Sequence, residues 1–288
     1  MKIQAVWTIT WLTAGVGEPD MSGRIQVVTG KRAKQGMGQT IVLTGMVLAA
    51  NPIGDYDKRI TLLTRERGKI TAFAKGARRQ GSQLTAAANP FAFGEFEVYE
   101  GRTSYTVVKA TISNYFRVLV EDFESVYYGF YFLEIADYYT RENADELHML
   151  KLLYQSMRAL EKSSLKNRLV RCIYELKAMV INGEYPNVFS CMDCKREDEL
   201  YWFDAEKNGM LCASCGGAGS IPVSASALYA LQYIVTSSIE KLYTFTVSEE
   251  VQETLSRVME AYMKQHVDRK FKSLKVLEEN LGFAGFSQ

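Results

Sequence analysis

Four cysteines, Cys191, Cys194, Cys212 and Cys215, are spaced C-x2-C-x17-C-x2-C, and no other feature of the chain limits the fold around it so tightly. Two close pairs on tight turns can set four thiolates around one tetrahedral ion, with the polar hairpin Lys195 to Met210 folding the second pair back onto the first. Four sulfur ligands leave no open position for water or substrate, so the spacing predicts a structural Zn2+ and not a catalytic one. The competing readings are a pair of disulfides or a thiol redox site. Disulfides need an oxidising compartment, and the first residues show no basic-then-apolar run ending in a small-residue cleavage site. A redox motif is normally a single CxxC at a strand-to-helix junction, whereas here two CxxC pairs flank a hairpin. The fifth cysteine, Cys172, shares a helical face with Leu169, Ile173, Leu176 and Val180, and reads as a small buried hydrophobe.

A chain of 288 residues with 47% hydrophobic content can build one large domain or two to three smaller ones with proper cores. No stretch approaches the ~18 uninterrupted apolar residues of a membrane span, so a soluble, cytoplasmic protein is expected. The net charge of +1 is uninformative until its distribution is read. Residues 1–36 lack any sustained period, and Met37 stands just before a strand-like run. We expect that leader to be an upstream extension and the functional chain to begin near Met37; a native arm with a short strand, Ile3 to Leu12, is the alternative.

From Ile41 to about Thr111 the pattern is that of strands. Ile41 to Leu48, Arg59 to Thr64, Lys69 to Ala74, Phe91 to Tyr99 and Ser104 to Ile112 are the five candidates. Turns are expected at Asn51-Pro52-Ile53-Gly54, at Arg65-Glu66-Arg67-Gly68, where Gly68 suits a positive φ, and at Glu100-Gly101-Arg102. Five strands in quick succession predict a small antiparallel barrel of the OB type over residues 37–117, with an SH3-like barrel as the alternative. From Glu121 the period becomes helical, giving an α+β chain whose residues 118–288 form a helical domain with the zinc module at about 188–218. Phe123, Tyr127, Phe130, Tyr131 and Ile135 fall on one stripe, expected to face the core, which leaves Tyr128 and Tyr138 off it as possible stacking platforms. Leu147 to Leu160 and Leu165 to Val180 continue the helices. Ser224 and Ser248 are the expected N-caps of two more, the second followed by Glu249 and Glu250 at its positive end.

Basic residues crowd one part of the barrel segment: Lys58, Arg59, Arg65, Arg67, Lys69, Lys75, Arg78 and Arg79, opposed between Lys58 and Arg79 only by Glu66. Such an excess on a strand-rich fold is the footprint of an anionic polymer, and single- or double-stranded nucleic acid is the natural partner. Lys75 to Ser82 reads as a strand end running into a flexible basic loop, where arginine can grip phosphate and glycine lets the backbone approach. A solvated basic face paired with Glu95, Glu97 and Glu100 is the plainer alternative. Catalysis finds little support: His148 and His266 have no visible nucleophile partner, Gly30-Lys31 and Gly68-Lys69 lack the rest of a phosphate loop, and no HExxH or GxSxG occurs. A binding protein is expected, not an enzyme.

The order of parts and several short motifs resemble the bacterial RecO family of recombination mediators. The motifs are Thr44 to Leu48, Tyr56 to Thr64, Gly68-Lys69-Ile70, Ala74 to Arg79 and, near the C-terminus, Phe271 to Leu277; together they span roughly Thr40 to Leu277. The resemblance implies annealing of complementary strands and loading of recombinase onto strands coated by single-stranded-DNA-binding protein, without nucleotide hydrolysis. It implies RecR and sometimes RecF as partners, and a helical domain that receives the C-terminal tail of the single-strand binder. It also implies that the barrel cations hold DNA and that the cysteines, which family members do not all keep, stabilise. Such a protein would work at the nucleoid. A zinc-containing RNA-binding or ribosome-associated factor and a nuclease are the alternatives.

Overall fold

β-Branched and aromatic residues at period two build residues 40–114 in the computed structural model, which describes residues 39–280. Strands β1 (Thr40–Ile53), β2 (Asp57–Thr64), β3 (Gly68–Ala74), β4 (Phe93–Glu100) and β5 (Tyr105–Asn114) form a closed barrel in the order β1-β2-β3-β5-β4, with the short helix α1 (Leu84–Ala87) between β3 and β4. Neighbours are antiparallel except β3 and β5, whose parallel pairing at Ala72↔Tyr105 and Phe73↔Thr106 closes the ring. This is the expected OB barrel. One correction concerns the first turn: Asn51, Pro52 and Ile53 still pair with Arg59, Lys58 and Asp57, and the turn is Gly54 to Tyr56. Past Val47, β1 has only β2 as a strand neighbour, and a proline lacking its N–H is tolerated on such an edge.

Alternation sends Val47, Ile60, Leu62, Ile70 and Ala72 into the barrel interior. Met46, Leu48 and Leu63 point outward yet are just as buried, because the helices pack on that face. The runs Met46-Val47-Leu48 and Leu62-Leu63 are therefore strands covered on both sides, and the barrel shares a core with the helical region.

That region comprises α2 (Arg117–Glu121), α3 (Phe123–Tyr139), α4 (Leu147–Leu160), α5 (Asn167–Asn182), the small sheet β6 (Leu200–Asp204), β7 (Gly209–Cys212) and β8 (Ile221–Pro222), then α6 (Ala225–Thr236), α7 (Glu249–His266) and α8 (Lys272–Asn280). Three N-caps work as side-chain chemistry dictates: Asp122, Ser224 and Ser248 accept from the backbone N–H of Ser125, Ala227 and Val251. Helix α5 packs against α3, α4, α6 and α7, so the cysteine module is an insertion between helices that meet. Lys177 of α5 donates to the carbonyls of Ile234, Val235 and Ser237, satisfying the C-terminal end of α6, and burial lowers its pKa.

The phase expected for α3 is wrong in part. Tyr131 and Ile135 are buried, but Phe123 is exposed and Tyr127 and Phe130 lie at the boundary, while Tyr128 and Phe132 are fully buried. Helix α3 touches α2, α4, α5, α8 and β1, and a helix enclosed on most sides has no polar face to set its phase. Tyr128 is thus a core residue, its phenol pushed up by burial, and no platform for bases; Tyr138 is half-buried and lies edge-on to Phe271.

Candidate nucleic-acid interface and metal centre

The eight basic residues between Lys58 and Arg79 divide between the two ends of the barrel. Because β2 and β3 are antiparallel, Lys58 and Arg59 lie opposite Ala74 and Phe73, beside Lys75, Arg78 and Arg79, whereas Arg65 and Arg67 belong to the β2–β3 turn and Lys69 follows it at the start of β3. At about 3.3 Å per residue the two groups stand roughly 20 Å apart along β2.

At the far end, the β1–β2 turn and the loop after β3 are strapped together. The Arg78 N–H donates to the Tyr56 carbonyl at 2.8 Å, its guanidinium to the Gly54 carbonyl at 3.1 Å, and the Gly76 N–H to the Asp57 carboxylate at 2.7 Å. The Arg79 guanidinium lies over the Tyr56 ring, 4.9 Å from its centroid. Arg59, Lys75, Arg78 and Arg79 are exposed, and none forms an ion pair among the described residues. Lys58 has the parity of Ile60 and Leu62 and turns the other way. Its ammonium donates to the Ala88 carbonyl and the Asn89 side chain, and burial, then the nearby Arg78, lowers its pKa.

The near end has the opposite character. Arg65 pairs with Glu66 at 3.0 Å, and Arg67 faces Glu100 at 3.9 Å. Lys69 donates to the Asp137 carbonyl at 2.6 Å and to its carboxylate at 3.2 Å; Asp137 also holds Arg269. Gly68, at φ +62, presses on the loop after α3, where an added Cβ would come within 2.6 Å of the Ala144 carbonyl oxygen. Here Lys69 and the backbone of the turn fasten the barrel to the helical region, while Arg65 and Arg67 are paired within the barrel.

In the cysteine module the β6–β7 hairpin brings the two pairs together, and the four Sγ atoms all lie within 4.8 Å of one another. All five cysteines of the chain are free thiols. Each pair sits on a knuckle: the Lys195 N–H donates to the Cys191 carbonyl, and the Gly216 N–H to that of Cys212. Burial tends to raise the Cys191 thiol, but backbone N–H groups of Cys194, Cys212 and Asp193 hold it down at about 6. Cys215 is pushed up to about 12 by hydrogen bonding to the sulfurs of Cys212 and Cys194. The Trp202 indole lies on the second knuckle, and a Cβ at Gly216 would fall 2.2 Å from it. Cys191 and Cys212 are buried in the core that also holds Phe203, Met210 and Tyr262. Such a cluster of four sulfurs can hold a metal ion. Cys172 lies apart in α5, buried as expected, near Ser256 and Gln252 of α7.

Two family models match the chain: Recombination protein O N terminal over residues 37–116, and Recombination protein O C terminal over residues 120–275. The chain belongs to the RecO family. Relatives named DNA repair protein RecO include one from Alkaliphilus metalliredigens, 29% identical over 82% of this chain and 97% of its own length. Another, from Acetivibrio thermocellus, is 30% identical over 82% of this chain and 95% of its own, and one from Bacillus subtilis is 27% identical over 82% and 92%. Membership in RecO places the chain in DNA repair and recombination as a mediator and not an enzyme. Among the described residues no helix is long and apolar enough to cross a membrane. The leader and its possible strand lie outside the described residues.

Sequence reading missed two residues at the far end of this RecO barrel. Tyr56 passed as part of a motif, although an aromatic residue beside Gly54 and Asp55 in a polar turn is out of place unless it meets something. Asp57 was a bystander to the charge count, yet its carboxylate is turned onto the Gly76 N–H and fixes the basic loop.

Proposed function

We propose that this chain binds single- and double-stranded DNA at the far end of its barrel, promotes annealing of complementary strands, and helps load recombinase onto strands coated by single-stranded-DNA-binding protein. The observation that carries the reading is the strapped basic loop, which presents Lys75, Arg78 and Arg79 to solvent beside Arg59 of β2, while Lys58, Arg65, Arg67 and Lys69 have polar partners of their own. Annealing is opposed by phosphate repulsion and by the protein coating one strand. A cationic surface that neutralises phosphate without selecting a sequence lowers that barrier and leaves the pairing edges free. Lys58 holds the segment after α1 beside this site, and Lys69 ties the opposite turn to α3. RecR, with RecF in some settings, and the tail of the single-strand binder on the helical domain complete the proposal, which situates the protein at the nucleoid.

The metal we propose is Zn2+. A Zn–S bond of about 2.3 Å requires tetrahedral sulfurs about 3.8 Å apart, a spacing that the Cys194–Cys212 separation of 3.6 Å and the 4.8 Å limit on the whole set accommodate. Cys191, Cys194, Cys212 and Cys215 would hold it as a structural centre.

The test is annealing of complementary strands pre-coated with the organism's own single-strand binder. Acceleration by this protein is the expected result, and an unchanged rate overturns the reading. Structured RNA outcompeting single-stranded DNA would favour the RNA-binding alternative instead.

A further inference from the structure

We infer that Tyr56 is a stacking platform for one unpaired base, so that the barrel tip distinguishes a single strand from a duplex. The inference rests on the proposed DNA-binding reading and names a contact that charge alone does not supply.

Tyr56 sits in the β1–β2 turn with 52% of its surface exposed, although the Arg79 guanidinium already covers one face of the ring. About half of the residue stays open to solvent despite that contact. The turn that carries the ring is held, since the Tyr56 carbonyl accepts the Arg78 N–H at 2.8 Å and the Asp57 carboxylate accepts from the Gly76 N–H. Its backbone is built before a ligand arrives, which lowers the ordering cost of binding. Ile53, 42% exposed, is the nearest residue of β1 to that turn and adds apolar surface beside it.

A base on the open face completes a sandwich of guanidinium, phenol and base. The cation polarises the ring from behind, and Lys75 and Arg59 stand ready for the flanking phosphates. Every base has a π-face, so the contact is blind to sequence. In a duplex the bases are already stacked on one another and cannot reach the ring. As annealing proceeds, the base on Tyr56 must leave to pair, and the contact is surrendered when the product forms.

Affinity of the full chain should be measured for three ligands: an oligothymidylate of about fifteen nucleotides, the upper end of the site size of one OB barrel, an abasic strand of equal length, and a duplex. Tyr56→Leu should weaken binding to the thymidylate roughly five- to hundredfold, the value of one stacked base, while the abasic strand and the duplex bind it as they bind the parent. Tyr56→Phe should restore thymidylate binding. An equal loss on the abasic strand would make Tyr56 a mere prop for Arg79, and no loss on any ligand would remove it from the interface; either overturns the inference while the DNA-binding reading stands. Failure of the unaltered protein to bind any of the three would end both.

Discussion

Loops from distant strands converge at two places in this molecule, the cysteine module and the far end of the barrel, and opposite chemistry holds them. In the module four side chains turn inward to one point, with Cys191 and Cys212 in the core. At the barrel end backbone groups, the Asp57 carboxylate and one bond from the Arg78 guanidinium do the holding, and the basic side chains face solvent. A region tied through one centre loses everything with one ligand. A region tied by several separate bonds can lose its outward side chains, and with them its binding, while it stays folded.

The largest effect should fall on the module. Cys191→Ser is expected to abolish stoichiometric zinc and to lower the stability of the helical region, since structural zinc contributes on the order of 10 kcal/mol of apparent binding energy. Metal analysis with thermal unfolding checks this, and full zinc retention would show that the ligand set is wrong. At the barrel the outcome should invert. Charge reversal at Arg78 and Arg79 should weaken single-strand binding by roughly tenfold or more at low salt, with an unfolding midpoint close to the parent's. A large drop in midpoint would erase the contrast between the two regions.

Asp57→Ala removes one strap from the barrel end and should cost about 1–2 kcal/mol, with faster amide exchange at Gly76. Unchanged exchange would mean that the loop is ordered by something else. The smallest effect lies at the joint between barrel and helices, where Asp122 caps α3. Its pKa is lowered by the hydrogen bonds to Ser125, so its contribution is fully present above the unfolded carboxylate pKa of about 3.9 and is lost as pH falls through the lower folded value. Asp122→Ala should cost no more than about 1 kcal/mol at neutral pH, given its exposure, and the gap to the parent should close in acid. Denaturant midpoints across pH would expose a gap that widens instead.

Much of this was legible from residues whose effects are local. Ser224 and Ser248 cap where hydroxyl chemistry says they should, the five strands follow their alternation, and the cysteine spacing foretold the cluster. What escaped depended on neighbours far along the chain. Helix α3 has no polar face, so Phe123 and Tyr128 exchanged the roles expected of them. The acidic partners of Arg67 and Lys69, Glu100 and Asp137, were not foreseen because they are remote in sequence. Lys58 could have been read better: strand parity alone sets it opposite to Arg59 and on the side of Ile60 and Leu62.

The division of the barrel into a binding end and a fastening end is tested most directly by salt. Single-strand affinity should be measured across salt concentrations for Arg78→Ala/Arg79→Ala and for Arg65→Ala/Arg67→Ala, which remove equal charge from the two ends. The slope of log affinity against log salt should flatten by about 1.4 for the first pair, at about 0.7 per lost phosphate contact, and stay at the parent value for the second. Equal flattening by both pairs would contradict the division.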